Sequence, residues 1–218
     1  MPVKEGEYCG FQTVIEEPGI LIVTFNRPES LNASTAPMKR DLVELLTQTQ
    51  MDDAVRVVVF TGEGQAFWAG DNLKGYDGES TELPPIHPGH DSASGTYNGL
   101  RAISQAVNTA VRNLDKLSIA AINGYAIQTG FSLALACDFR IAAHSAKMGS
   151  ATLRFGLLPD EGGQWLLVQH LGVAKAMDFM MRKRIVDGVT AEALGLVHEA
   201  VADEDLYETT MELARELA

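Results

Sequence analysis

The chain has 218 residues, of which 46% are hydrophobic and 21% charged, and its formal net charge is −12. This composition is typical of a globular protein that buries a sizeable core, and it argues against a disordered chain. The acidic balance disfavours nucleic acid and anionic membranes as partners, since both carry negative charge. The two cysteines, Cys9 and Cys137, provide neither a disulfide framework nor a cysteine-based metal site.

The cellular compartment follows from what the sequence does not contain. The first ten residues are polar and lack the apolar core of a signal peptide, and no apolar run is long enough to span a bilayer. We therefore expect a soluble, cytoplasmic protein in a reducing compartment. An anionic ligand would need a local exception to the acidic surface, made from backbone amides or a few placed cations.

The N-terminal region predicts a β-hairpin followed by a helix. Residues 11–16 and 20–26 are strand-like and are joined by the turn Glu17-Pro18-Gly19. Thr35 is expected to cap a helix that runs to about Met51. Its apolar residues share one face, namely Met38, Leu42, Leu45 and Leu46.

Beyond this helix, strands alternate with helices. Three apolar runs are typical of strands buried in a sheet, at residues 55–61, 118–122 and 138–143. Between them we expect a glycine-rich turn at 62–70 and a surface loop at 77–95. Two helices are expected at 97–114 and 130–137. From residue 163 the pattern is helical almost to the end, with a short strand at 197–201. This order indicates an α/β fold in which parallel pairing is favoured.

Several common catalytic motifs are missing from the sequence. No histidine accompanies a G-x-S-x-G elbow, and no phosphate-binding loop or dinucleotide fingerprint opens a helix. His87 and His90 are close enough in sequence to suggest a metal site, but they lie in a stretch rich in Pro and Gly with no cysteine pair nearby. A solvated loop is the favoured interpretation there.

Two loops have the properties of an oxyanion hole. Residues 67–74 follow the strand at 55–61, and residues 123–130 lead from the strand at 118–122 into a helix. The first amides of a helix lack internal acceptors and carry positive potential, so amides converging from two such loops can stabilise an oxyanion. Because glycine-containing turns between strands and helices are common, an ordinary structural role remains the alternative.

At these loops the sequence resembles the crotonase (enoyl-CoA hydratase/isomerase) superfamily. The likeness covers nearly the whole chain and rests on motifs whose order and spacing match that family. They are ILIVTFNRPESLNA at 20–33, VRVVVFTGEGQAFWAGDNLK at 55–74, IAAINGYAIQTG at 119–130, CDFRIAA at 137–143, FGLLPDEGG at 155–163 and HLGVAKAMDFMM at 170–181.

The resemblance implies a spiral of ββα units over residues 1–165 and a helical region over 166–218, which is shorter than usual for the family. It also implies an acyl-CoA thioester substrate, with coenzyme A entering as part of that substrate and no metal or redox cofactor. A homotrimer or a dimer of trimers is the expected assembly.

The resemblance also assigns roles to individual positions. The amides of Asp71 and Thr129 would bind the thioester oxygen, although the family usually has a run of glycines around the second amide. Other positions would contact coenzyme A or line the acyl pocket; these are Ser30, Leu31, Trp68, Ala69, Asn72, Leu73, Lys74 and Phe131. Lys74 would supply a local cation, or it is simply a solvated surface lysine.

The sequence departs from the hydratases of the family at both of their glutamates. Ser132 and Thr152 occupy those positions, and neither side chain titrates near neutral pH, so neither replaces a general acid or base. Asp160 falls where several branches of the family place a catalytic carboxylate, and Glu161 is adjacent to it. Asp160 would otherwise only cap the helix that begins near Gly162.

These residues leave three hypotheses for function. The first is an isomerase in which Asp160 moves a proton along an enoyl-CoA and the oxyanion amides stabilise the dienolate. The second is hydrolysis or carbon–carbon cleavage, with Asp160 or Glu161 activating water. The third is an acyl-CoA-binding protein whose active site has decayed.

Overall fold

The computed structural model describes residues 3–72, 92–150, 152–156 and 158–218. Within them, the strands are β1 (Gly6–Tyr8), β2 (Phe11–Glu16), β3 (Ile20–Phe25), β4 (Val57–Gly62), β5 (Ala66–Trp68), β6 (Leu117–Ile122), β7 (Tyr125–Ile127), β8 (Phe139–Ala143), β9 (Lys147–Gly149), β10 (Ile185–Asp187) and β11 (Glu199–Val201). The α-helices are α1 (Ala36–Gln50), α2 (Ala93–Gly99), α3 (Gln105–Arg112), α4 (Thr129–Ala136), α5 (Gly163–Met181), α6 (Gly188–Leu194) and α7 (Leu206–Leu217).

The described strands form two sheets. The larger has the order β1-β2-β3-β4-β6-β8-β11, and the smaller has the order β10-β9-β7-β5. The chain contributes to the two sheets in turn, since β4 is followed by β5, β6 by β7 and β8 by β9, and α4 follows the second of these pairs. This repeated passage is the spiral of ββα units that was expected, and the α/β fold class is confirmed.

The N-terminal predictions are confirmed closely. β2 and β3 pair antiparallel across the turn at Gly19, whose amide donates to the carbonyl of Glu16 at 2.9 Å. Helix α1 is capped by Thr35, whose side chain accepts from the amide of Met38. The predicted apolar face of α1 is buried and belongs to the hydrophobic core, as its helical spacing predicts.

The central strands are paired along both edges and largely buried. β4 pairs in parallel with β3 and with β6, and β6 pairs in parallel with β8. A strand in this position contacts core residues on both faces, which explains its continuous apolar sequence.

Some expectations about local structure are incomplete or wrong. The glycine-rich turn contains β5, and four further strands, β1, β7, β9 and β10, were not predicted. Each has three residues, which is too short to show an alternating pattern. The predicted loop at 77–95 lies largely outside the described residues, and at its end Ser92 caps α2, so this helical region begins before residue 97.

Buried residues of the C-terminal helices belong to the same hydrophobic core as those of the strands. One cluster of buried residues extends from Val3 to Ala214, and the rings of Phe131 in α4 and Phe179 in α5 stack at 5.9 Å. The division of the chain at residue 165 stays a prediction. None of the helices in the described part of the chain combines the length and the apolarity of a membrane span.

Candidate active site

The first predicted oxyanion loop is held against the segment that precedes α1. The amide of Ala69 donates to the carbonyl of Leu31 at 3.1 Å, and the amide of Ser34 donates to the carbonyl of Gly70 at 2.9 Å. The amide of Asn72 returns a bond of 3.0 Å to the carbonyl of Ser34. These bonds form a parallel bridge between Ser34 and Asp71, in which the amide of Asp71 itself takes no part.

A buried asparagine fixes the other side of this segment. The side-chain oxygen of Asn32 accepts from the amide of Arg27 at 2.8 Å, and its nitrogen donates to the carbonyl of Ala66 at 2.7 Å. Asn32 has a positive φ of 56° and is fully buried. The turn that carries Ser30 and Leu31 is thereby fixed next to β5.

The second oxyanion loop ends where α4 begins, at Thr129. The first amides of α4 have no acceptor within the helix, so they are available to a ligand. Gly130 lies directly against the first loop, because a Cβ there would lie 1.9 Å from the carbonyl oxygen of Trp68. A Cβ on Gly70 would likewise lie 3.3 Å from the carbonyl oxygen of Ile127. The two predicted loops are therefore in contact, as the oxyanion hypothesis requires.

A cluster of polar side chains, which we call the Asp71 cluster, joins these two loops to α1. It consists of Asp71, Lys39, Ser34, Thr129 and Ser104. Oδ1 of Asp71 lies 2.6 Å from Nζ of Lys39 and accepts from the hydroxyls of Ser34 and Thr129 at 2.8 and 3.2 Å. Nζ of Lys39 also donates to the hydroxyl of Ser104 at 3.1 Å.

Lys39 was not predicted as a site residue, although the sequence contains a signal for it. Lys39 precedes Leu42 by three residues and Leu46 by seven, so it belongs to the apolar face of α1, and it is only 5% exposed. A lysine at such a position requires an anionic partner. The sequence alone does not identify that partner, because Asp71 is distant along the chain.

Asp160 is half-buried next to this cluster. The amide nitrogen of the Gln105 side chain donates to the backbone carbonyl of Asp160 at 2.9 Å. Burial raises the pKa of the Asp160 carboxyl; the negative charge of Asp71 raises it further, and the positive charge of Lys39 partly opposes the rise. The capping alternative is wrong, because the residue that caps α5 is Gly162, without any side-chain hydrogen bond.

Glu161 is buried, unlike its neighbour, with an exposed fraction of 1%. The hydroxyl of Ser132 donates to Oε1 of Glu161 at 2.6 Å, and the side chain of Asn108 donates to its backbone carbonyl at 2.9 Å. Within the described residues, Oε2 of Glu161 has no hydrogen-bond partner. Burial raises the pKa of Glu161, and the hydrogen bond from Ser132 opposes that rise.

The two positions that lack hydratase glutamates are both buried. Ser132 contacts the Glu161 carboxyl, so a carboxyl is present beside this position although residue 132 does not supply it. Thr152 is 9% exposed, and its hydroxyl lies 3.1 Å from that of Ser150. A carboxyl is thus brought next to one of the two positions by a different part of the chain.

The remaining predicted contacts are spread around the loops. Leu31 is 38% exposed, whereas Trp68 and Phe131 are buried, the first against Phe25 with a centroid distance of 4.9 Å. Their role as pocket walls, and contact of coenzyme A with Ser30, Ala69 and Asn72, stay predictions. Leu73, Lys74 and the two histidines of the considered metal site lie outside the described residues. In the described part of the chain, no three metal-binding side chains cluster.

Comparison with known proteins identifies the family of this chain. The family model described as enoyl-CoA hydratase/isomerase matches residues 16–218. The chain belongs to this family. Its relatives include the 1,2-epoxyphenylacetyl-CoA isomerase of Escherichia coli strain K12, which is 37% identical over 93% of this chain and 74% of the relative.

Solved structures of the enoyl-CoA hydratase/isomerase family also match this chain. An enoyl-CoA hydratase from Bacillus anthracis superposes with a TM-score of 0.85 at 29% identity, covering 96% of this chain and 76% of the other. A monofunctional enoyl CoA isomerase from M. smegmatis gives a TM-score of 0.75 at 35% identity, covering 95% and 84%. Since relatives are named as hydratases and as isomerases, the choice between these reactions depends on the residues of this site.

Proposed function

We propose that this member of the family is an isomerase that moves a proton on an enoyl-CoA, with Asp160 as the acid–base group. The observation that carries the proposal is the position of Asp160. It is a half-buried carboxyl near the Asp71 cluster, whereas both hydratase glutamate positions hold uncharged side chains. An enoyl thioester that reacts here needs one group to remove and return a proton, and Asp160 is suited to both steps.

The proposed reaction requires no external oxidant or reductant. Asp160 removes a proton from the carbon next to the thioester, and the electron pair of that C–H bond delocalises into a dienolate. The thioester oxygen becomes negative and accepts hydrogen bonds from the amides of Asp71 and Thr129. Asp160 then returns the proton to the far carbon of the dienolate, so the double bond becomes conjugated with the thioester.

The direction of the Asp160 pKa shift suits this role. A carboxyl whose pKa is raised by burial is a stronger base than an ordinary aspartate and can also return the proton. Glu161 has a raised pKa as well, but it is 1% exposed and one of its oxygens is bonded to Ser132. Access to substrate therefore favours Asp160.

A hydrolase remains the second candidate because Glu161 lies beside Ser132. In a hydrolase or a carbon–carbon-cleaving enzyme, Glu161 or Asp160 would activate water near one of the two positions where hydratases hold glutamates. A decayed acyl-CoA-binding protein would bind thioesters without turnover of any of them.

Matched variants separate these candidates. A 3-enoyl-CoA is mixed with the unmodified protein, Asp160→Asn, Glu161→Gln and Asp53→Asn, and formation of the conjugated thioester is followed by its ultraviolet absorbance. We expect Asp160→Asn to lose about 10²–10⁴-fold in kcat, as is typical of a lost acid–base group. Asp53→Asn removes an exposed carboxylate in the turn after α1 and serves as the control.

Each other outcome identifies an alternative. If Glu161→Gln is inactive and Asp160→Asn is not, the proton-transfer role belongs to Glu161. If the unmodified protein releases free coenzyme A, the hydrolase is correct. If it binds acyl-CoA but converts none of a panel of thioesters, it is a binding protein.

The family and the composition support a proposal about the compartment, cofactors and assembly of this enzyme. We propose a cytoplasmic protein that needs no metal or redox cofactor and assembles as a homotrimer or a dimer of trimers. Exposed apolar side chains along α5, including Trp165, Val173 and Met177, support an assembly that covers this helix.

A further inference from the structure

A partly buried ion pair lies at the proposed oxyanion hole. Lys39 is 5% exposed, the side chain of Asp71 is 28% exposed, and their charged atoms are 2.6 Å apart. Asp71 is also the residue whose amide is proposed to bind the oxyanion. The side chain of this residue therefore places a carboxylate next to the point where negative charge develops during the reaction.

An unpaired carboxylate at this place would oppose the proposed chemistry. Like charges within a few ångströms repel each other strongly where water is partly excluded, so Asp71 alone would destabilise the dienolate. It would also disfavour the ionised form of Asp160, whose pKa Asp71 already raises. The ammonium of Lys39 offsets both effects because it lies directly on the carboxylate.

The same carboxylate connects the two loops. Oδ1 of Asp71 accepts from Ser34, in the segment paired with the first loop, and from Thr129, the first residue of α4. These bonds link the residue that carries the first proposed oxyanion amide to the residue that carries the second. The Asp71 carboxylate thus holds the two loops together through hydrogen bonds. A nearby cation must neutralise its negative charge, because that charge would repel the oxyanion.

We propose that Lys39 is a positioning residue, which neutralises the Asp71 carboxylate so that it can join the two oxyanion loops without repelling the oxyanion. The inference rests on the proposed function, since it requires the amides of Asp71 and Thr129 to bind a thioester oxygen. Ser104 takes part by accepting a second hydrogen bond from the Lys39 ammonium, which fixes its direction.

The charges around Asp160 set the expected pH dependence. Asp71 and Lys39 act on it from the first loop and from α1, and Glu161 is its neighbour in the chain. From α3, the neutral side chain of Gln105 contacts its backbone carbonyl. Removing the Lys39 charge therefore raises the pKa of Asp160, and the acidic limb of the pH–rate profile moves to higher pH.

The test measures enolate binding, which does not depend on turnover. Acetoacetyl-CoA ionises to an enolate that is detected by its ultraviolet absorbance, and an oxyanion hole increases the bound enolate fraction. The variants are Lys39→Met, which keeps a long apolar chain, and the double variant Lys39→Met/Asp71→Asn, which removes both charges. The asparagine keeps an oxygen that accepts from Ser34 and Thr129. Lys4→Met, at an exposed position before β1, is the matched control.

We expect Lys39→Met to lower the bound enolate-to-ketone ratio at least about tenfold, because the carboxylate is left unpaired. The double variant should recover the ratio to within about threefold, and the acidic limb should return with it. Lys4→Met should match the unmodified protein. A role of Lys39 in packing alone predicts no recovery in the double variant.

Three results would overturn the proposal. The first is an unchanged enolate ratio in Lys39→Met; the second is a double variant as impaired as Lys39→Met although both are folded by circular dichroism. The third is an unmodified protein that binds acetoacetyl-CoA without enriching the enolate, since the oxyanion hole itself would then be wrong. If the enolate is enriched but no enoyl-CoA isomerises, only the isomerase assignment fails.

Discussion

The contact between the two proposed oxyanion loops can be tested by adding one methyl group. In Gly130→Ala the new Cβ would lie 1.9 Å from the carbonyl oxygen of Trp68, 2.7 Å from its Cβ and 2.8 Å from its carbonyl carbon. Two of these atoms belong to the backbone, so the steric clash is removed only if the two loops separate by about 1 Å. Overpacking of this kind typically costs about 1–3 kcal/mol.

The expected magnitude follows from two opposing terms. We take about 3 kcal/mol for the clash because backbone atoms do not rotate away, and alanine regains about 1 kcal/mol over glycine inside a helix. The net loss is about 2 kcal/mol of unfolding free energy, or about 6 °C in Tm for a chain of this size. The oxyanion amides also move apart, so the bound enolate fraction of acetoacetyl-CoA should fall.

A matched variant separates loss of stability from loss of the site. In Gly188→Ala, at the start of α6, the new Cβ would lie 2.2 Å from the carbonyl oxygen of Ala143, in a region outside the candidate site. Both variants should unfold at lower temperature in calorimetry, but only Gly130→Ala should lose enolate binding. If Gly130→Ala is as stable as the unmodified protein, or if both variants bind the enolate equally well, the loops do not depend on this contact.

Three further predictions concern Glu161, hydration and assembly. The pKa of Glu161 is raised in the folded protein above its ordinary value of 4.5. The contribution of this carboxyl to stability is therefore fully present at a pH below 4.5, and it is lost as the pH rises through the pKa of the folded protein. The Tm of Glu161→Gln relative to that of the unmodified protein should therefore increase with pH above about 5 in calorimetry; a difference that is constant with pH would contradict this. Hydration of crotonyl-CoA should be absent or far below about 10 s⁻¹, because Ser132 and Thr152 replace both acids; ordinary hydratase rates would show that other groups add water. Sedimentation should give a multiple of the 23.5 kDa chain, and a clean monomer would count against the proposed trimer.

The buried framework was predictable because its signals are local. The apolar run that contains β4 and the helical spacing of α1 each predict both the element and its buried face. The Thr35 cap required only the residues next to it. The two loops proposed to form the oxyanion hole were also chosen from local signals, since each follows a strand that the sequence reveals.

The Asp71 cluster was not predictable in the same way. Lys39 is recognisable as a misplaced charge on an apolar helix face, but its partner is brought to it by the pairing of Ser34 with Asp71. The contact between Ser132 and Glu161 likewise depends on how α5 packs on α4. Such side-chain contacts between distant segments are set by tertiary packing, and no periodicity in the sequence encodes them.

The position of Glu161 bears on the absence of the hydratase glutamates, because this carboxyl lies beside Ser132. Ser132 is small, and its hydroxyl contacts Glu161 at 2.6 Å; a Cβ on Gly163 would lie 2.2 Å from that same hydroxyl. A glutamate at position 132 would force a second carboxyl against Glu161 in this filled space, so rebuilding a hydratase requires changes at both positions. Glu161 is buried with only one of its oxygens bonded among the described residues, an arrangement that costs stability. Buried carboxyls with raised pKa values are typical of functional sites, and a decayed site gains nothing from such a cost, so Glu161 favours an enzyme over a binding protein.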